Sequence, residues 1–245
     1  MKKNLVRSTK LFAAVASLTL AAAAPAATIT WSTPEFAAET DVSTTGTLVS
    51  AIDYGDPDGS NDTLNGVEFI EVASGSWSNT QNGVTVVGSA FTGSNGYGQY
   101  YTGDVTAANN LLDSYTIGAK EDPLNFTGLT AGAEYELQFF MFDDRTNLDG
   151  RGRVADLSDD STFDEAGDLN DFDFTDPSPE QTVIGTFTAD PSGEQSVWFR
   201  GWEDGSGAKQ MNINAMQLRE IPEPTSLALL ALGVTALLGR RRQRA

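Results

Sequence analysis

The 245-residue chain holds 34 Asp and Glu against 15 Lys and Arg, for a formal charge of −19, and contains no His and no Cys. Residues 28–221 alone carry 33 acids and 7 bases, a charge of −26, which argues against nucleic acid and anionic lipid as partners because both need clustered cations. The missing His and Cys exclude Ser/His/Asp and Cys/His catalytic sets, thiolate or imidazole metal sites and disulfides, so any metal must be held by oxygen.

In chain order, residues 1–26 read as a secretory signal peptide. Lys2, Lys3, Arg7 and Lys10 precede an apolar run from Leu11 to Ala24, and Ala24-Pro25-Ala26 offers an A-x-A site for signal peptidase that would leave Ala27 first.

Residues 27–221 read as one acidic exported domain. Short alternating or β-branched runs separated by Gly, Asn, Asp and Pro predict strands at 28–31, 46–52, 66–72, 83–87, 135–142, 182–189, 196–202 and 211–218. In the fifth run Tyr135, Leu137, Phe139 and Met141 make one apolar face, and Phe140 with Phe142 begins a second, so that strand should be buried on both sides. One helical stretch is expected at 105–115, capped by Asp104 and turning Leu111 and Leu112 inward. The acid-rich stretch 143–180 predicts one or more long loops. The pattern fits an all-β fold, a two-layer antiparallel β-sandwich or jelly roll, flanked by an N-terminal signal helix and a short C-terminal transmembrane helix.

Three polar constellations could carry chemistry. Asp53, Asp56, Asp58, Asn61 and Asp62 crowd a Gly- and Pro-containing loop, as Ca²⁺ requires; this is not an EF-hand, because counting from Asp56 the sixth position is Asn61 and the twelfth is Val67. A polar turn capped by its own side chains accounts for the same residues. Asp164, Glu165, Asp168, Asn170, Asp171 and Asp173 form a second candidate Ca²⁺ set, against which stands an ordinary solvated acidic face. Asp143, Asp144 and Arg145, followed by Arg151 and Arg153, suit either loop-pinning ion pairs or a sugar-binding edge. Tyr97, Tyr100 and Tyr101, with Trp198 and Trp202, could supply an aromatic platform for the latter, although alternating aromatics also build cores.

At the C-terminus, Pro222, Glu223 and Pro224 precede an apolar segment, 225–239, and then Arg240, Arg241, Arg242 and Arg244. Its 15 residues would span about 22 Å as a helix, short of a ~30 Å hydrocarbon core, which suits transient insertion with the arginines on the cytoplasmic side. Residues 222–245, with these three elements in order, resemble the PEP-CTERM sorting signal of Gram-negative bacteria. The resemblance implies an exosortase as partner, a membrane protease-transpeptidase that cleaves near Pro-Glu-Pro, with release or attachment of the protein outside the cell. Residues 124–145, 184–190 and 213–220 are further similar to a recurring type of exported PEP-CTERM protein with a β-sandwich. The Leu129–Tyr135 phrase, a Gly132 turn leading into a strand-starting Tyr, resembles the strand entry of many extracellular β-sandwich modules.

Three functions are compatible with these features. The first is a non-catalytic surface or matrix module that is structural or interacts with extracellular polysaccharide. The second is a glycoside hydrolase working with two carboxylates. The third is a Ca²⁺-binding or ice- or mineral-facing surface protein.

Overall fold

The computed structural model describes residues 27–54, 61–72, 77–88, 105–108, 111–112, 116–118, 122–143, 153–163, 167–174, 181–203, 207–209 and 211–222. The signal segment 1–26, the sorting tail from residue 223 and Asp104 fall outside them. Alternation of apolar and polar residues gives strands β1 (Thr30–Ser32), β2 (Thr47–Tyr54), β3 (Asp62–Leu64), β4 (Val67–Val72), β5 (Trp77–Gln81), β6 (Val84–Gly88), β7 (Thr116–Gly118) and β8 (Asp122–Thr127). There follow β9 (Glu134–Phe140), β10 (Arg153–Ser158), β11 (Leu169–Asp173), β12 (Val183–Thr188), β13 (Glu194–Glu203), β14 (Gly207–Lys209), β15 (Met211–Ile213) and β16 (Ala215–Ile221).

Two sheets form the sandwich. The first has the order β1-β12-β9-β16-β2-β4-β3; the second runs β11-β10-β13-β8-β6-β5, with β14 also on β13. All pairings in them are antiparallel except β2 with β4, which run parallel with Ile52 opposite Ile70. The expected wholly antiparallel sandwich is therefore mixed at one place: β3 and β4 form a hairpin around Asn65-Gly66, and it is β4 rather than β3 that lies against β2. The acid-rich stretch expected to be loop contains β10 and β11. Their inward positions are Ala155, Leu157 and Phe172, with charge on the intervening residues, so a two-residue period is present beneath the acidic composition. The predicted helix at 105–115 is, in its described part, one 3-10 turn at Thr106–Ala108 and a Leu112 N–H to Ala108 C=O bond of 2.9 Å. Leu111 and Leu112 are buried as expected.

The core between the sheets joins Val49, Ile52, Leu137, Phe139, Met216 and Leu218 of the first to Val86, Phe126, Leu157, Val197 and Phe199 of the second. Phe139 and Phe199 meet edge to face across it at 5.2 Å and 85°. Each such buried side chain contributes about 1.5–3 kcal/mol. A second cluster covers the other face of the first sheet, where Phe36 packs on Phe140 at 5.6 Å and Leu64, Phe69, Val105 and Leu112 complete it. The C-terminal half of β9 is therefore buried on both sides, as its run of aromatics predicts, with Phe140 sharing the outer face with Glu136 and Gln138.

Where that outer face is polar, it holds residues 41–46 by hydrogen bonds. Gln138 accepts from Ser43 N–H (2.9 Å) and Gln217 Nε2 (2.7 Å), and donates to Asp41 C=O (2.8 Å) and Thr182 Oγ1 (3.4 Å), so all four of its hydrogen-bonding positions are filled. Gln217 Nε2 also donates to Ser43 C=O at 3.1 Å. Arg219 donates from Nε to Thr45 C=O (2.7 Å), from one Nη to Gln217 Oε1 (3.2 Å) and from the other to the Thr44 and Gly46 carbonyls (3.2 Å each). Gly46, at φ +76°, brings the chain against the Glu220 carbonyl, where a Cβ would collide.

Gly46→Ala is therefore expected to destabilise the fold by about 2 kcal/mol or more through left-handed strain and that collision, read as a lower urea midpoint. Gln138→Leu leaves the Ser43 N–H, the Asp41 carbonyl and one Gln217 amide hydrogen without their partner, with an expected loss of about 3 kcal/mol. A Gln138→Leu/Gln217→Leu double-mutant cycle should show strong coupling; additive effects would contradict the network.

Candidate functional site

β16 lies in the middle of the first sheet, between β9 and β2, and ends at Ile221, immediately before Pro222. Its end is fixed by the adjoining turn. The Tyr135 ring stacks on Phe187 at 5.5 Å in the core, while its hydroxyl accepts the Thr130 N–H (2.8 Å) and donates to Glu220 Oε2 (3.1 Å). The Thr130 hydroxyl reaches the same carboxylate at 3.3 Å. Gly132 makes the turn at φ +77°, so the Gly-turn and Tyr of the 129–135 phrase act together to hold the last residues of the folded body. Beside them Asp190 is kept below the ordinary carboxylate range by the Ser192 hydroxyl and backbone N–H groups.

At the opposite end, Asp143 is fully buried; its N–H donates to Phe174 C=O (2.9 Å) and its carboxylate accepts Asn212 Nδ2 (2.7 Å). Asn214, between β15 and β16, accepts Phe142 N–H (2.7 Å) and donates to Leu112 C=O (3.1 Å). Asp144, Arg145, Arg151, Tyr97, Tyr100 and Tyr101 lie outside the described residues. Trp198 is half-buried, opposite Ser158 and Pro123.

The candidate Ca²⁺ residues are dispersed where they are described. Asp53 is fully buried in β2 opposite Ala215 and Glu71, and Asp62 stands on β3 opposite Phe69, with β4 between the two. Asn61 binds β4, donating to Glu68 Oε1 (3.2 Å) and accepting Glu71 N–H (3.3 Å). Asn170, Asp171 and Asp173 are exposed along the edge strand β11, and Asp168 precedes it half-buried. Among the described residues no three acids gather as a metal ion would need. Asp56, Asp58, Asp164 and Glu165 lie outside them.

One half-buried ion pair has no local signature in the sequence. Asp156 on β10 faces Arg200 on β13 and accepts its Nε (3.0 Å) and Nη2 (2.8 Å), while the guanidinium lies 4.5 Å above the Phe163 ring. Asp156 also accepts Asp171 N–H at 2.9 Å, tying β11 to the pair. Arg219 is the second such cation: burial pushes it below its ordinary value and Glu136, facing it across the strands, partly restores it. Both arginines sit at outward positions of alternating strands, but their partners are 44 and about 174 residues away, beyond any local pattern.

Asp159, which accepts Ile29 N–H at 3.2 Å, is held above the ordinary carboxylate value by burial, with a further push from Asp160 and Asp168.

Fold and tail together define an all-β sandwich whose central last strand runs into a C-terminal export segment. The family model of the PEP-CTERM protein-sorting motif matches residues 220–243, so the chain carries this signal, which implies an exosortase as processing partner and sorting to the surface. Neither a curated protein nor a solved structure matches the chain. Pro222 lies at the edge of the described residues, and Glu223, Pro224, Arg240, Arg241 and Arg242 lie outside them; among the described residues no helix is long and apolar enough to cross a membrane.

The Asp159 shift has a definite sign. Its native state holds the proton more tightly than the unfolded chain, so its contribution is complete below the unfolded pKa of about 3.9 and is lost as pH rises through the raised folded value. Asp159→Asn keeps an acceptor for Ile29 N–H and removes the charge. It is expected to raise the urea midpoint at pH 7 relative to the parent and to leave it unchanged at pH 3.

Proposed function

We propose that the exported domain is a non-catalytic structural or carbohydrate-interacting module, working at the surface or in the extracellular matrix of a Gram-negative bacterium. The observation that carries this reading is the internal use of its polar side chains. Gln138, Gln217, Arg219, Asp156, Arg200, Asp143 and Asn214 all bind other parts of the fold rather than converge on an open cleft. The absence of His and Cys supports the same reading. Exposed acids with half-buried Trp198 suit hydroxyl-rich polymers better than anionic ones.

Carboxylate-based hydrolysis is the second reading, and one observation favours it. Burial holds the Asp159 carboxyl above its ordinary value while Thr162 holds the adjoining Asp160 below its own, and carboxyls pushed in opposite directions are what a glycosidase uses.

Incubation of the exported protein with a panel of neutral and acidic polysaccharides separates the two. Co-sedimentation with a polymer without release of reducing ends is the expected result. Release of reducing ends that disappears in Asp159→Asn would replace the binding module with the hydrolase.

A further inference from the structure

The first and last described residues leave the sandwich at the same end. Thr30 pairs with Thr186, Thr186 with Glu136, and Glu136 with Arg219, so Thr30 and Arg219 stand level on β1 and β16. Three strand spacings put them about 14 Å apart. β1 and β16 run in opposite senses, and Ala27 lies three residues before Thr30 as Pro222 lies three after Arg219. Two turns close this end: Leu129 N–H binds Gly193 C=O (3.0 Å) and Gly132 N–H binds Ala189 C=O (2.8 Å). Around them stand the carboxylates of Glu134, Asp190, Glu194 and Glu220, while Arg219 is turned into the bonds that hold residues 44–46.

The connection to the apolar tail is short. From Ile221, still paired in β16, to Thr225, where the apolar segment begins, there are four residues, which span at most about 14 Å fully extended. The polar headgroup layer takes about 5–7 Å of that distance on each side of the bilayer, and one helix with its side chains is about 10–12 Å across. A membrane-embedded enzyme engaging Glu223 thus has no room to reach it without touching the turns beside β16.

We infer that this end of the sandwich, the 128–133 and 190–193 turns with their carboxylate rim, is a docking surface for the membrane enzyme that processes the tail, met there by a basic surface on that enzyme. The inference rests on the reading of residues 220–243 as a sorting signal. An anionic lipid surface is the less suitable occupant, since the rim carries the same sign of charge. At this short spacing the domain meets the enzyme together with the tail and acts as part of the substrate.

The test follows C-terminal cleavage of the full chain by mass in pulse-chase, in cells that export it and hold the exosortase. Glu134→Lys/Asp190→Lys/Glu194→Lys changes exposed or half-exposed turn and strand-end residues; Asp171→Lys/Asp173→Lys, exposed on the edge strand β11 of the other sheet, is the charge-reversal control. The triple variant is expected to be cleaved at least tenfold more slowly, the control at the parent rate, and a ten-residue Gly/Ser insertion after Ile221 should restore the triple variant. Equal melting temperatures of parent and triple variant separate this from misfolding. Cleavage of the triple variant at the parent rate, or equal slowing of the control, overturns the docking surface. So does slowing that the insertion leaves in place together with adhesion of the triple variant to anionic phospholipid vesicles, which assigns the effect to lipid. An unmodified chain whose tail stays uncut overturns the sorting reading itself, and the docking surface with it.

Discussion

Burial of the Arg219 guanidinium against the backbone carbonyls of residues 44–46 constrains the rest of this molecule. A cation taken out of water is tolerable only when its donors are filled, and here three carbonyls and the Gln217 side chain fill four of them. Gln217 and Gln138 extend the same set to Ser43, Asp41 and Thr182. Removing any member leaves another buried group unsatisfied, so the three strands β9, β16 and β2, their register and the path of residues 41–46 are specified together. Gly46 follows from this: only a residue at home at φ +76° lets the chain turn from the carbonyl cluster into β2 past Glu220.

The first sheet therefore works as a middle layer. Its inner face packs on the second sheet through Phe139, Met216 and Leu218, and its outer face is divided between an aromatic patch around Phe36 and Phe140 and the polar set around Gln138. The second sheet is fastened differently. Asp156 and Arg200 link β10 to β13, Phe163 covers the guanidinium, and the Asp171 N–H brings in the edge strand β11. β11 itself carries Asp171 and Asp173 in the open, which discourages edge-to-edge association between copies.

Much of this architecture was legible in the chain, and what was not had a common cause. The double-sided burial of β9 could be read directly from Tyr135 to Phe142, because two interleaved apolar sets need two cores. β10 and β11 were obscured by composition: in Arg153–Ser158 the inward Ala155 and Leu157 flank Asp156, and the acidity of the neighbourhood outweighed a short period-two pattern. The expected helix at 105–115 is, where described, a 3-10 turn at Thr106–Ala108 with Leu111 and Leu112 buried, so the inward leucines were legible and the length of the element was not. The sorting motif was legible because its recognition depends on residue order along the chain. The polar set of Arg219, Gln217 and Gln138 was not, because its members meet only after the sheet has formed.

Among the described residues β16 is the last strand in chain order, and it occupies the middle of its sheet. The backbone groups of residues 43–46 wait for side chains about 174 positions later, and β2 and β9 have no common neighbour until β16 arrives between them. Such distant partners make closure slow and late. The first sheet therefore stays open between β2 and β9 until the residues furthest along the described chain are in place, and its stability is decided by the segment that adjoins the sorting motif.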